Sequence, residues 1–204
     1  MKTIFRSLFL LLIITVLVSS TTGSGVIRLK ASGSNLTEQS LQKSTAIVLK
    51  RLHYVNIEAK AAADIASGQI TIEYEGTMDF KSIDKLLTSR GDFGFFAEKN
   101  GRDQRFLGKE DIQSATSKTE KSGNSSILIT FTKDSAPKWA SATKENIGKS
   151  IKIMLDGKVY YDPVVRQPIE NGQCEMTGNF SREEADIFLA LLNTETLPVN
   201  LTLK

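Results

Sequence analysis

Few side chains in this 204-residue chain are of the types that enzymes use as nucleophiles or bases. His53 is the only histidine, so any Ser-His or Cys-His mechanism has to use it. It falls at the C-terminal end of a predicted helix, where a cation also favours the helix dipole, and no nucleophile motif is placed to meet it. The sequence therefore predicts no catalytic residue and no enzyme.

Acidic residues and glycines give no site for a metal or a cofactor either. Glu183, Glu184 and Asp186 open a predicted helix, where carboxylates offset the positive end of the helix dipole. One histidine and one cysteine are too few for a metal site built on those residues. The phosphate-binding patterns GxGxxG and GxxxxGK[ST] do not occur. We expect no metal and no cofactor.

Cys174 is the only cysteine, which excludes an internal disulfide. It stands at the start of a predicted strand, and this placement favours a buried, inert thiol. The alternative is an exposed thiol that joins two copies of the chain in an oxidising compartment.

The composition is that of a folded protein: 40% of the residues are hydrophobic and 24% are charged. Lys2 and Arg6 lie in a predicted leader, and without them basic and acidic residues nearly balance. No run of lysines and arginines interleaved with aromatic residues occurs, so nucleic-acid binding is not expected.

Residues 1–23 have the order of a secretory signal peptide. Two basic residues precede an apolar run from Leu8 to Val18, and small residues from Ser19 to Gly23 follow. The run is shorter than the about 20 residues that span a bilayer. We expect a protein secreted across the inner membrane into the periplasm, with membrane attachment only if the segment is not cleaved.

Before residue 100, the pattern predicts strand, helix, strand, strand, helix and strand. Asn35 and Glu38 have the spacing of a helix cap, and Asp79 is expected to cap a second helix whose apolar face begins with Phe80. This order is typical of a ferredoxin-like plait, in which two helices cover one sheet. The predicted elements are strand 26–31, helix 37–52, strand 55–60, strand 69–75, the helix after Asp79, and a strand from Phe93.

Residues 100–124 are polar and predict a connection or hinge, after which a second α+β plait follows. Its first helix is expected to carry Trp139, Thr143 and Ile147 on one face, and Ser181 with Glu184 forms a capping box for its last helix. The predicted fold class is therefore α+β, with two ferredoxin-like subdomains joined by a hinge.

A hairpin organises the second half of the chain. Asp156-Gly157 lies between two alternating runs and is a strong hairpin signal, and Pro163 and Pro168 then interrupt the ladder. The exposed residues here could form an apolar groove for an extended polypeptide, or they could simply pack the hairpin. The candidate polypeptide-binding residues are Tyr160, Tyr161, Val164, Val165 and Ile169.

The second half of the chain carries a series of short motifs. They are Asn146-Ile147-Gly148-Lys149, Leu155-Asp156, Val159 to Val164, Pro168-Ile169, Gly172, Gly178-Asn179-Phe180-Ser181, Glu184-Ala185 and Leu197-Pro198. With these motifs at near-constant spacing, residues 127–201 resemble the first periplasmic domain of SecD, a membrane subunit of the bacterial protein-export translocase.

The resemblance implies a base subdomain at 26–108, to which 195–204 returns, and a head at 109–194. It also implies contact with unfolded or translocating polypeptide, or with a translocase or envelope protein. The family's transmembrane helices and its proton-linked residues have no counterpart in the sequence, so we expect a stand-alone binding module. The alternatives are an envelope interaction protein without peptide binding and a small hydrolase on the same scaffold.

Overall fold

The structure is a computed structural model that describes residues 23–77, 79–121 and 123–204. The predicted signal peptide falls on residues 1–22, which lie outside the described part, and on Gly23, with which the first strand begins. The elements in chain order are β1 (Gly23–Ser32), α1 (Glu38–Tyr54), β2 (Glu58–Asp64), β3 (Gln69–Gly76), α2 (Phe80–Thr88), β4 (Phe93–Lys99), β5 (Arg102–Gly108), β6 (Ile112–Thr119), β7 (Ser125–Phe131), α3 (Ala136–Glu145), β8 (Ile151–Leu155), β9 (Lys158–Tyr161), β10 (Gln173–Phe180), α4 (Arg182–Leu192) and β11 (Asn200–Leu203).

The first sheet has the strand order β11-β1-β3-β2, and all its neighbours are antiparallel. Alternate residues of its strands are buried, among them Ile27, Leu29, Ile70 and Ile72, so one face lies on the core. Helices α1 and α2 contribute buried apolar residues to the same core. This is the ferredoxin-like arrangement, and the predicted α+β class is confirmed.

The outer strand of this sheet is not the one that the local order of elements predicted. The strand from Phe93 was expected to complete the first plait, but β4 pairs with β5 and β8. The place beside β1 is taken by β11, with Leu29 opposite Leu203 and Ser32 opposite Asn200. Strand pairing is a long-range choice, and the local sequence of β4 does not encode its partner.

The remaining described strands form two further antiparallel sheets, one of four strands in the order β5-β4-β8-β9 and one of three in the order β10-β7-β6. The connection or hinge predicted at 100–124 is largely made of strands, because β5 and β6 occupy most of it. Both strands expose most of their side chains, so the alternation of apolar and polar residues that signals a strand is weak there.

The helix caps follow the local sequence closely. Asp79 accepts from the Ser82 N–H, and Ser181 forms a capping box with Glu184, both as predicted. The first helix differs, because its cap is Thr37 and not Asn35. Thr37 and Ser40 exchange side chain–backbone hydrogen bonds at 3.1 and 2.8 Å, which is a capping box made with serine in place of glutamate.

One continuous core connects the three sheets. An aromatic cluster around Phe95 forms the part of this core between β4, β7 and α3. The ring of Phe95 lies 5.1–5.2 Å from those of Phe93, Phe131 and Trp139. The indole N–H of Trp139 donates to the Gln173 carbonyl at 3.0 Å. The buried indole is therefore fully satisfied, and Trp139 fastens α3 to β10.

Cys174 lies in β10 and is only 5% exposed. Burial raises the pKa of its thiol to about 12. Because the thiolate is the reactive species, we expect the folded protein to give no measurable reaction with Ellman's reagent at pH 8. After unfolding in guanidinium chloride one equivalent should react. Rapid labelling of the folded protein would contradict the burial of this residue.

Within the part of the chain that the structure describes, the helices are too short or too polar to cross a bilayer.

Candidate functional site

The hairpin of β8 and β9 has the predicted turn. Asp156 and Gly157 both have positive φ, at 52° and 75°, as a two-residue turn of this kind requires. The tip of the hairpin is not free. The Asp156 N–H donates to the Asp92 carbonyl at 2.7 Å, and the Asp156 carboxylate accepts from the Asp92 N–H at 2.8 Å. The turn is thereby fastened to the segment between α2 and β4.

Tyr160 is part of an aromatic stack. Its ring lies 4.4 Å from that of Phe188 and 6.0 Å from that of Phe180, nearly parallel to both. The ammonium group of Lys85, on α2, lies 5.2 Å from the ring centre. Burial raises the pKa of Tyr160 to about 12. The side chain thus connects the hairpin to α4 and α2, and its ring faces are covered by these neighbours.

Tyr161 and Ile169 also contribute to packing. The Tyr161 hydroxyl donates to the Thr177 carbonyl at 3.0 Å, in the irregular part of β10. The Ile169 N–H donates to the Thr143 hydroxyl at 2.9 Å, and its half-buried side chain packs on the core. Both residues fix the course of the chain around the hairpin.

The two neighbouring valines differ in exposure. Val164 is 58% exposed, whereas Val165 is 8% exposed and pairs through its backbone with Gly148 and Lys149. The structure therefore does not gather Tyr160, Tyr161, Val164, Val165 and Ile169 into one open groove. Of the five, only Val164 presents most of its side chain to solvent.

Ile147 is an exposed apolar residue that the sequence pattern assigned to a helix face. Helix α3 ends at Glu145, and Ile147 follows it with 51% of its surface exposed. The next residue, Gly148, donates its N–H to the Val165 carbonyl, so this loop lies beside the one that carries Val164. We call Ile147 and Val164 the head patch. Trp139 and Thr143, predicted on the same helix face, are buried as expected.

A buried arginine, Arg51, connects several elements of the chain through hydrogen bonds. Arg51, in the last turn of α1, is fully buried. Its guanidinium group donates to the carbonyls of Leu86 and Arg90 at 3.1 and 3.0 Å and to the Thr194 hydroxyl at 3.2 Å. It also donates to the Ser89 carbonyl. Arg51 therefore binds the two segments, 89–92 and 193–197, through which the chain passes between the first sheet and the others; we call this region the junction.

The two segments of the junction also bind each other. The Leu197 N–H donates to the Arg90 carbonyl at 2.9 Å, and the Thr196 hydroxyl donates to the Gly91 carbonyl at 3.3 Å. Gly91 has φ of +77°, and a Cβ atom there would lie 2.9 Å from Nη2 of Arg51. Only glycine fits this conformation and this approach without displacing the guanidinium group.

Lys109 is the second cation of the junction, and its ammonium group donates to the Thr194 carbonyl at 2.6 Å. Burial, together with the charge of Arg51, lowers the pKa of Lys109 to about 8. The folded chain therefore releases this proton at lower pH than the unfolded chain. The charged form opposes folding below about pH 8, and this effect fades as the pH rises from 8 towards 10.5.

We expect Lys109→Met to gain most stability relative to the parent protein at pH 7 and progressively less at pH 8 and 9. Urea unfolding at the three pH values measures the difference in free energy between the two proteins. Cys174 and Tyr160 have raised pKa values, which lower the free energy of unfolding as the pH rises above about 9. Both proteins contain these two residues, so their effect cancels in the difference. A difference that stays constant from pH 7 to 9 would contradict the lowered pKa.

The side chains considered for catalysis lie in positions that are common for structural residues. His53 is exposed at the end of α1, and Glu184 caps α4, where its hydrogen bonds with Ser181 lower the pKa of the carboxyl group. Among residues 23–77, 79–121 and 123–204, no three histidine, cysteine or acidic side chains are grouped in a way that could hold a metal ion.

Comparison with known proteins decides the family. Residues 97–199, half of the chain, match the family described as SecDF, P1 head subdomain. The chain belongs to the SecDF P1 head family. The similarity to SecD extends before this range: SecD of Acidaminococcus fermentans is 27% identical over 168 residues, which cover 82% of this chain and 40% of that protein. The resemblance seen in the sequence is thereby confirmed.

Other relatives agree with the P1 assignment. SecDF of Thermus thermophilus is 40% identical over 91 residues, which cover 45% of this chain and 12% of that protein. A crystal structure of SecDF in a super-membrane-facing form superposes with a TM-score of 0.69 at 25% identity, over 89% of this chain and 30% of that one. The P1 chain spans about two-fifths of the length of the SecD proteins of Acidaminococcus fermentans and Dictyoglomus turgidum.

A further solved chain corresponds to the P1 region almost from end to end. It belongs to work on SecDF as a membrane component that enhances protein export, and it matches with a TM-score of 0.66 and 26% identity. The match covers 87% of this chain and 97% of that one. The P1 fold thus accounts for nearly all of that solved chain.

Proposed function

We propose that this chain is a non-enzymatic P1 module that assists protein export on the periplasmic side of the membrane. The observation that carries the proposal is the similarity to SecD over more than four-fifths of the chain. The relatives are named as translocase subunits, and SecDF is described as enhancing protein export. An exposed histidine and a buried cysteine on separate elements are consistent with a role without catalysis.

We further propose that the chain consists of two subdomains, a base and a head. Strand pairing favours a base formed by 23–88 and 199–204, and a head formed by 93–192. This differs from the boundary at 108 that the sequence suggested, because β4 and β5 pair on the side of β8. The junction lies between the two parts and holds both chain crossings.

Within the head, we propose that polypeptide contacts the head patch. Val164 supplies the contact predicted from sequence, and Ile147 adds a second exposed apolar side chain beside it. Val165 holds the two loops together through its backbone hydrogen bonds with Gly148 and Lys149. Tyr160, Tyr161 and Ile169 fix the hairpin and its surroundings through the contacts described above. Exposed apolar side chains on adjacent loops suit binding to unfolded chains, which present apolar residues without a fixed shape.

The test uses fluorescein-labelled, reduced and carboxymethylated α-lactalbumin as an unfolded probe in fluorescence anisotropy. The double variant Ile147→Glu with Val164→Glu should weaken binding by at least about tenfold, because two charges replace the apolar contact. The matched control is Val26→Glu with Ile65→Glu, two exposed apolar residues of the base at 52% and 45% exposure. It should change the affinity less than about twofold.

Absence of saturable binding by the parent protein would overturn the polypeptide-binding role and favour an envelope interaction protein. Equal losses in the head and base variants would show that the contact is not local to the head patch.

A further inference from the structure

A groove on the base lies between α2 and the outer edge of β11, with a volume of about 730 Å³. Phe80, Asp84 and Thr88 line its helical wall, and Leu201 and Leu203 line the strand side. The three helical residues are spaced four apart, so they follow one face of α2. The groove is on a different part of the molecule from the head patch.

The strand side of the groove offers backbone hydrogen-bonding groups. The Lys204 N–H donates to the Arg28 carbonyl, and in the same register Thr202 lies opposite Lys30. In an antiparallel ladder the backbone groups of alternate residues point to opposite sides. Those of Leu201 and Leu203 therefore point away from β1, and β11 is the outermost described strand of its sheet.

Phe80 is the most exposed of the large apolar residues that the structure describes, at 69%. The sequence pattern assigned it to the buried face of α2, whereas Ile83, Leu86 and Leu87 form that face. Exposing a large aromatic ring to water is unfavourable, and an exposed apolar surface beside an open strand edge is typical of an interaction site. It gives an extended chain on this edge an apolar contact.

Asp84 gives the groove a charge. Its half-buried carboxylate makes no ion pair or hydrogen bond with another residue of the described ranges. It stands between Phe80 and Thr88, at the middle of the helical wall. A lysine or arginine side chain on a bound strand would complement it, since charge-assisted hydrogen bonds are the stronger ones.

We infer that this groove binds an extended polypeptide segment, which adds to β11 as a fifth strand of the base sheet. The backbone of the segment pairs with Leu201 and Leu203, an apolar side chain packs on Phe80, and a basic side chain pairs with Asp84. This mode supplies affinity through main-chain hydrogen bonds and selectivity through alternate side chains. The inference is separate from binding at the head patch.

A second copy of the chain fits this edge less well. Two copies paired through β11 about a twofold axis would place their α2 helices side by side and antiparallel. Such a pairing would bring two copies of the groove wall together, each with Asp84 at its middle. Like charges in such a joint are unfavourable, and a basic peptide is the complementary occupant.

The probe is a fluorescein-labelled peptide, Thr-Val-Thr-Lys-Thr-Val-Thr, which places valine, lysine and valine on one face of a strand. Two control peptides carry glutamate for lysine or alternate N-methylated residues that cannot pair. Fluorescence anisotropy should show saturable binding of the lysine peptide. The other two peptides should bind at least about fivefold more weakly, because each lacks one of the two interactions.

Variants of the protein locate the site. Asp84→Asn and Phe80→Ser should each weaken binding of the lysine peptide by at least about fivefold. Asp134→Asn, an exposed carboxylate on the far part of the chain, and the double variant of the head patch should leave it unchanged within about twofold. The head-patch variant thus separates failure at this groove from failure of the proposed function.

Three results would overturn the inference: no saturable binding, equal binding of the N-methylated peptide, or unchanged affinity in both groove variants. Sedimentation velocity of the parent protein supplies a further one. A dimer that Phe80→Ser dissociates would show that a second copy occupies the edge.

Discussion

Replacing Arg51 by methionine is expected to lower the free energy of unfolding by about 3 kcal/mol, since carbonyl oxygens in the junction lose a charged donor. Methionine fills most of the volume and removes a charge whose pKa burial has already lowered to about 10. The loss therefore comes mainly from the carbonyls of Leu86, Ser89 and Arg90, which remain with fewer donors. For a chain of this length we expect Tm to fall by about 6–12 °C.

Lys50→Met is the matched control for Arg51. Lys50 precedes Arg51 on α1 and makes one ion pair, with Glu195 at 3.4 Å, between side chains that are both more than half exposed. Exposed pairs contribute about 0–1 kcal/mol, so its Tm should change little. Differential scanning calorimetry of both variants gives the comparison. Equal Tm values for the two would show that Arg51 does not hold the junction together.

Phe95→Ala is expected to cost about 3–5 kcal/mol, because it opens a cavity at the centre of the aromatic cluster. Phe95 is completely buried, and four rings surround it: those of Phe93, Phe106, Phe131 and Trp139. Trp139 also provides the readout, since its fluorescence should report the loosened packing before the global transition. Chemical unfolding followed by fluorescence and by circular dichroism measures both effects.

Phe80→Ala makes the same chemical change at a site without packing. Its ring is 69% exposed, so the substitution should alter the free energy of unfolding by less than about 0.5 kcal/mol. A cost similar to that of Phe95→Ala would mean that Phe80 is buried in solution, and the base groove would then be closed. The Phe80→Ala variant therefore also tests whether Phe80 is exposed in solution, as peptide binding in the base groove requires.

Features governed by neighbouring residues could be read from the sequence. The Asp156-Gly157 turn needs two residues that tolerate positive φ, and the caps at Asp79 and Ser181 need an oxygen at a fixed distance along the chain. The ordered series of motifs between residues 146 and 198 indicated the family.

Features governed by distant residues could not be read in this way. β4 and β11 are both short strands with apolar residues, and their local patterns do not decide which of them joins β1. The return of 195–204 to the base was implied only by the family resemblance. Arg51 looks like any surface arginine on a helix until the carbonyls of two remote segments surround it. The candidate polypeptide surface differs from the predicted one for the same reason. The ring of Tyr160 packs against rings on α4 and β10, whereas the side chain of Ile147 is exposed.

The pairing of β1 with β11 determines when the base can be completed. β1 comes from the start of the described residues and β11 from their end, so the first sheet stays without its outer strand until residues 200–203 are available. The strands from β4 to β10 lie between them and can pair earlier, because their partners are closer in sequence. A chain emerging from its N-terminus would thus finish the inserted part first and seal the base last. Until then β1 presents an unpaired edge, the kind of surface on which partly folded chains associate wrongly.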